Sequence, residues 1–107
     1  MDGPHALTPS NVVRLVESKI GVYELSRTRD GSIRYVGRAV DLAQRLGNHA
    51  SAGTYQFFRF EYTQSEKAAF EKESTLYHHY LADIDNAVHP ARPEGKAWKC
   101  PRCKVFG

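Results

Sequence analysis

The chain has no long apolar run: across its 107 residues nothing approaches the roughly 18 consecutive apolar side chains that a membrane-spanning helix needs. A soluble protein with no membrane partner is expected. Its first residues, Met1-Asp2-Gly3-Pro4-His5, lack the basic start and apolar stretch of a signal peptide, so a cytoplasmic address is the expectation. Cysteine is scarce. The two present, Cys100 and Cys103, are too few for the disulfide framework of a small secreted domain. Nor is charge of one sign in large excess: 15 Lys and Arg against 12 Asp and Glu leave a net +3, which many proteins with no interest in polyanions share. Repeats and low-complexity segments are absent as well. A chain of this length builds one core, and any site must lie on that single scaffold.

Two tripeptides stand out, Gly21-Val22-Tyr23 and Tyr35-Val36-Gly37. The stretch between them is polar and centres on Arg29-Asp30-Gly31-Ser32, so strands over 20–26 and 33–37 are expected to form a hairpin in which Gly31 takes a positive φ. Upstream, Thr8-Pro9 begins a short helix, with Thr8 as its cap and Pro9 at its first position. Downstream, helical periodicity runs from about Ala39 to His49. The aromatic, nearly alternating run from Thr54 to Tyr62 reads as a third strand. The longest helix starts at Thr63 or Ser65, with Thr63 and Glu66 matching a capping box, and continues to about Ala82. The fold class predicted from this order is α+β: a small three-stranded antiparallel sheet flanked by helices.

On a helical wheel the second helix separates an apolar side, including Leu42, Ala43 and Leu46, from a basic stripe of Arg38, Arg45 and His49. Glu73 is out of place. Its helical neighbours Ala69, Phe70, Leu76, Tyr77 and Tyr80 define the face that packing buries, where an ionised carboxylate needs a compensating cation or several hydrogen-bond donors. A metal ion or an arginine would serve, and the sequence alone does not choose between them.

In order and spacing these residues resemble the GIY-YIG nuclease family: Gly21-Val22-Tyr23, Tyr35-Val36-Gly37, then Arg45, His49 one turn on, and later Glu73, with Asn86 as the match to a late asparagine. The resemblance covers about residues 20–90. It implies a GIY-YIG-like nuclease domain over 20–90, preceded by an N-terminal helix within 1–19 that packs on it and followed by a basic tail over 91–107. It further implies a divalent-metal-dependent endonuclease that hydrolyses phosphodiester bonds. Glu73 would hold Mg²⁺ or Mn²⁺, Arg45 would stabilise charge on the phosphate, and Tyr23 would take the proton of the attacking water with help from His49. Tyr35 would orient the water or the phosphate, and Asn86 would support the site. DNA is the expected partner. A chain this short leaves little room for a separate DNA-reading module, so a structured or weakly selected substrate is expected, or a homodimer or protein partner that adds selectivity.

The tail adds two further features. Arg92, Lys96, Lys99, Arg102 and Lys104 face only Glu94, with Trp98 among them, a composition that fits phosphate contact and base stacking as well as a solvated tail. Arg38, Lys96, Trp98, Lys99 and Arg102 are therefore the candidate nucleic-acid contacts. Cys100-Pro101-Arg102-Cys103 has the gap of a zinc knuckle, for which His89 is a candidate further ligand, alongside His78 and His79. A free or redox-active thiol pair has the same spacing. Two other functions stay open: a module that grips nucleic acid without cutting it, and a zinc-linked adaptor.

Overall fold

The computed structural model describes residues 1–85. Its first element is one the sequence does not announce. β1 (Asp2–Ala6) pairs antiparallel with β4 (Phe57–Tyr62), matching Ala6 with Phe57 and His5 with Phe58, and its register shifts between Asp2 and His5. Gly and Pro are poor strand formers, but an edge strand with an irregular register tolerates both. The sheet therefore has four strands in the order β1-β4-β2-β3, rather than the expected three. β2 (Gly21–Ser26) lies between β4 and β3 (Tyr35–Ala39), antiparallel to each, and all six of its residues are buried.

The β2–β3 pair is the expected hairpin, with Leu25 opposite Tyr35 and Tyr23 opposite Gly37. Its connection differs from the prediction. The strands are joined by a loop over 27–34, and Gly31 has no positive φ; the positive-φ glycines among the described residues are Gly3 and Gly53. Gly31 instead donates its N–H to Thr28 O, and a Cβ there would run into Thr28 Oγ1. A side chain at this position would therefore only have to turn the exposed Thr28 hydroxyl aside.

Among the described residues three helices cover the sheet. α1 (Pro9–Leu15) starts as its chemistry dictates: Thr8 Oγ1 accepts from Asn11 N at 3.2 Å, and Pro9 stands where no N–H is needed. α2 (Leu42–Ala52) begins later than predicted, because Asp41 caps it through Gln44 N while Arg38 and Ala39 pair in β3 with Val22 and Gly21. Gly53, at φ 74°, ends it in the left-handed conformation that favours glycine. α3 (Glu66–His79) is capped by Ser65, whose Oγ accepts from Ala68 N at 3.1 Å, and it ends at Tyr80 rather than Ala82. The Thr63–Glu66 capping box does not form; Thr63 Oγ1 donates to Ser65 O instead. No helix among the described residues is long and apolar enough to cross a membrane.

The main core lies where α1 and α2 meet the face of the sheet that carries Tyr23, Leu25, Phe58 and Phe60, with Leu42 and Leu46 fully buried. Gly21 is part of this packing. A Cβ at Gly21 would overlap the Glu61 carbonyl oxygen and Leu42 Cδ1, and neither the central ladder nor the buried leucine has room to yield. Gly21→Ala is expected to cost about 1–3 kcal/mol, the range of core overpacking. Urea unfolding checks this, through a lowered midpoint at unchanged slope. An unshifted midpoint would contradict the packing described.

Candidate active site

The hairpin brings two phenols together. Tyr23 is completely buried, and its ring crosses the Gly37 position towards the open edge of the sheet, since a Cβ on Gly37 would overlap Tyr23 Cζ and Oη. The Tyr35 ring stacks beside it, with centroids 6.2 Å apart and planes 14° from parallel. From α2, His49 closes the group: its Nε2 lies 2.9 Å from Tyr23 Oη, and its ring meets Tyr35 at 5.2 Å. Arg45, one turn earlier, is exposed and reaches the same hollow. Burial of Leu42 and Leu46 fixes which side of α2 faces the core, and so which side carries Arg45 and His49.

Glu73 comes from the opposite direction. The buried face of α3 holds Ala69, Phe70, Glu73, Ser74 and Tyr77, and Glu73 is only 8% exposed. An arginine supplies a compensating charge. Arg38 Nη1 donates to Glu73 Oε1, and the guanidinium lies 5.3 Å over the Phe70 ring. Arg38 thus projects from β3 and not, as its periodicity implied, from the second helix in line with Arg45 and His49.

A cavity of about 400 Å³ joins these groups, with Tyr23, Tyr35, Arg38, Arg45, Glu66 and Glu73 among its walls. Sequence reasoning assigned Glu66 to a capping box. The signal that would have placed it here is its spacing: Glu66, Ala69 and Glu73 are one and two turns apart on one face of α3. His49 stands behind the two phenols. Asn86, His89, Lys96, Trp98, Lys99, Cys100, Arg102 and Cys103 lie outside the described residues.

The electrostatics of the group are consistent with its hydrogen bonding. Burial pushes the Tyr23 phenol well above its ordinary value of 10; Tyr35 and Glu73 add to this, and Arg45 opposes it. Burial, and then the charge of Arg45, hold the His49 imidazole below its usual 6.5. At neutral pH Tyr23 therefore keeps its proton and His49 is neutral, so the phenol can donate to an unprotonated Nε2.

No three His, Cys, Asp or Glu side chains among the described residues converge as a metal cage. The donor set suits a different mode of binding. A magnesium-like ion takes oxygen ligands, keeps several of its waters and often uses only one or two carboxylates, which Glu73 and the wall residue Glu66 can supply in a cavity roomy enough for water.

No family model matches the chain, and no curated protein matches it significantly. Solved structures do. The GIY-YIG N-terminal endonuclease domain of UvrC from Thermotoga maritima, bound to its catalytic divalent cation, magnesium, superimposes with a TM-score of 0.58 at 21% identity, covering 68% of this chain and 90% of that one. A point mutant of that domain with asparagine replaced by alanine, bound to its catalytic divalent cation, gives 0.58 at 21% identity over 68% and 89%. Another, with a tyrosine replaced by phenylalanine, gives 0.57 at 20% over 68% and 90%. The four-stranded sheet, its flanking helices and this likeness establish one conclusion: the chain has a GIY-YIG-like fold.

Proposed function

We propose that the chain is a divalent-metal-dependent endonuclease that hydrolyses phosphodiester bonds of DNA, acting on structured or weakly selected sites. The observation that carries this reading is convergence. Tyr23, Tyr35, Arg45 and Glu73 belong to four different elements, yet they line one cavity. The likeness to a UvrC endonuclease domain that binds a catalytic divalent cation supports the same reaction class.

Glu73 is the residue that would hold the cation, sharing its carboxylate with Arg38; when bound, such an ion supplies positive charge to the phosphate oxygens. The remaining steps belong to the chain's own side chains. Water attacks phosphorus as Tyr23 Oη takes its proton, and the phenolic proton passes to His49 Nε2 across the 2.9 Å hydrogen bond. This relay removes the need for a free phenolate. Arg45, exposed at the cavity, donates its planar fork to oxygens whose charge grows as the P–O bond breaks. Tyr35, held against both Tyr23 and His49, orients the water or the phosphate.

Because His49 must be neutral to accept the proton, the direction of its shift sets the pH profile. Single-turnover cleavage is expected to be level through neutral pH and to fall on acidification, with a midpoint below 6.5. His49→Gln should abolish that acid limb and slow cleavage by about 10²-fold, the usual worth of a positioned acid–base group. A midpoint at or above the ordinary histidine value would contradict the relay.

The Arg38–Glu73 pair favours a second reading, a module that binds nucleic acid without cutting it, because Glu73 already has a cation. Incubating the purified protein with end-labelled linear and branched DNA and Mg²⁺ separates the two. Magnesium-dependent strand scission supports hydrolysis; salt-sensitive binding with every strand intact supports the second reading.

A further inference from the structure

Tyr55, in the connection between α2 and β4, takes part in no step of that hydrolysis, yet it is 7% exposed and tightly held. Its hydroxyl donates to Asp85 Oδ2 at 2.8 Å. Asp85 also accepts from Arg27 at 2.8 Å and from Arg34 at 2.9 Å, and its N–H donates to Arg34 O. The Arg27 guanidinium covers the Tyr55 ring at 5.3 Å, and that ring in turn packs on Tyr35 at 5.8 Å.

We propose that Asp85 and Tyr55 form a clamp that positions Tyr35 for catalysis, a role that rests on Tyr35 belonging to the hydrolytic site. Tyr35 lies on an edge strand with a single neighbour, and its ring is only partly buried, so contacts with other rings decide where its hydroxyl points. Two of those contacts, Tyr23 and His49, belong to the reaction itself. The third is Tyr55, whose hydroxyl is fixed by a charge-assisted bond and whose face is covered by Arg27. Burial and the Asp85 bond push the Tyr55 phenol up to about 12, so this donor keeps its proton at any working pH. Asp85 also holds both ends of the loop over 27–34, through Arg27 and Arg34, and that loop leads directly into Tyr35.

Tyr55→Phe keeps the ring and removes the tether; Asp85→Asn keeps the shape and removes the charge. Both are expected to lower kcat by about tenfold with KM within about twofold, as a small misplacement of a reacting group does. Fluorine NMR of fluorotyrosine-labelled protein, with the Tyr35 signal assigned from Tyr35→Phe, should show that signal shifted or broadened in both variants without any substrate present. A folded Tyr55→Phe protein with unaltered kcat and an unmoved Tyr35 resonance would overturn the clamp. If the unsubstituted protein cuts no DNA, the hydrolytic reading fails, and with it the catalytic role of the clamp, even where the resonance moves. Should Asp85→Asn not fold, Tyr55→Phe decides.

Discussion

Glu73→Gln is expected to abolish magnesium-dependent cleavage, lowering the single-turnover rate by at least about a thousandfold, since the cation's charge stabilisation is worth several kcal/mol. The fold should survive. A glutamine Oε1 still accepts from Arg38, and Arg38, with 22% of its side chain exposed, has access to water, so the stability loss should stay within about 1–2 kcal/mol. DNA binding is expected to persist, because polyanion binding draws on Lys and Arg and an acidic side chain adds nothing to it. This combination separates loss of a catalytic carboxylate from loss of structure. Rates equal to those of the unsubstituted protein in Glu73→Gln would mean that the acid serves only to neutralise Arg38.

Gly37→Ala should also slow cleavage strongly, although the substitution adds only one methyl group to β3 and glycine has no side chain with which to touch a substrate. The added carbon would overlap Tyr23 Cζ and Oη, and the ring cannot retreat because it is completely buried. It must tilt instead, which breaks the 2.9 Å contact with His49. A loss of about 10² in kcat follows from displacing a proton-transfer group by a fraction of its hydrogen-bond length, with about 1–3 kcal/mol of overpacking beside it. A double-mutant cycle distinguishes this route from a general loss of stability. If Tyr23→Phe has already removed the hydroxyl, adding Gly37→Ala should slow cleavage little further, whereas additive losses would show that Gly37 acts independently of Tyr23.

The final residue of the second tripeptide thus has a packing explanation, and so does the first residue of the other, Gly21. What the sequence made legible follows from strong local signals: the paired tripeptides, the Thr8-Pro9 helix start, and a carboxylate in the apolar stripe of α3, which is buried as its neighbours implied. What it concealed depended on partners distant in the chain. Asp2-Gly3-Pro4-His5-Ala6 has no strand chemistry of its own and becomes β1 only because β4 offers an edge. Arg38 extends the helical pattern of α2 backwards without interruption, yet pairing with Val22 holds it in a strand and turns it towards Glu73. Glu66 was masked by a competing local explanation that Ser65 displaced. The Tyr55–Asp85 contact joins residues 30 apart and leaves no periodic trace.

Tyr23, Tyr35, Arg45 and Glu73 line one cavity, proposed above to receive a phosphate. A crystal structure of the protein with Mg²⁺ and an uncleavable DNA strand tests that proposal most directly. An ion on the Glu73 carboxylate, the phosphate between that ion and Arg45, and a water within hydrogen-bond reach of Tyr23 are the expected result. DNA bound away from the cavity, with Arg38 still holding Glu73 and no ion beside it, would contradict it.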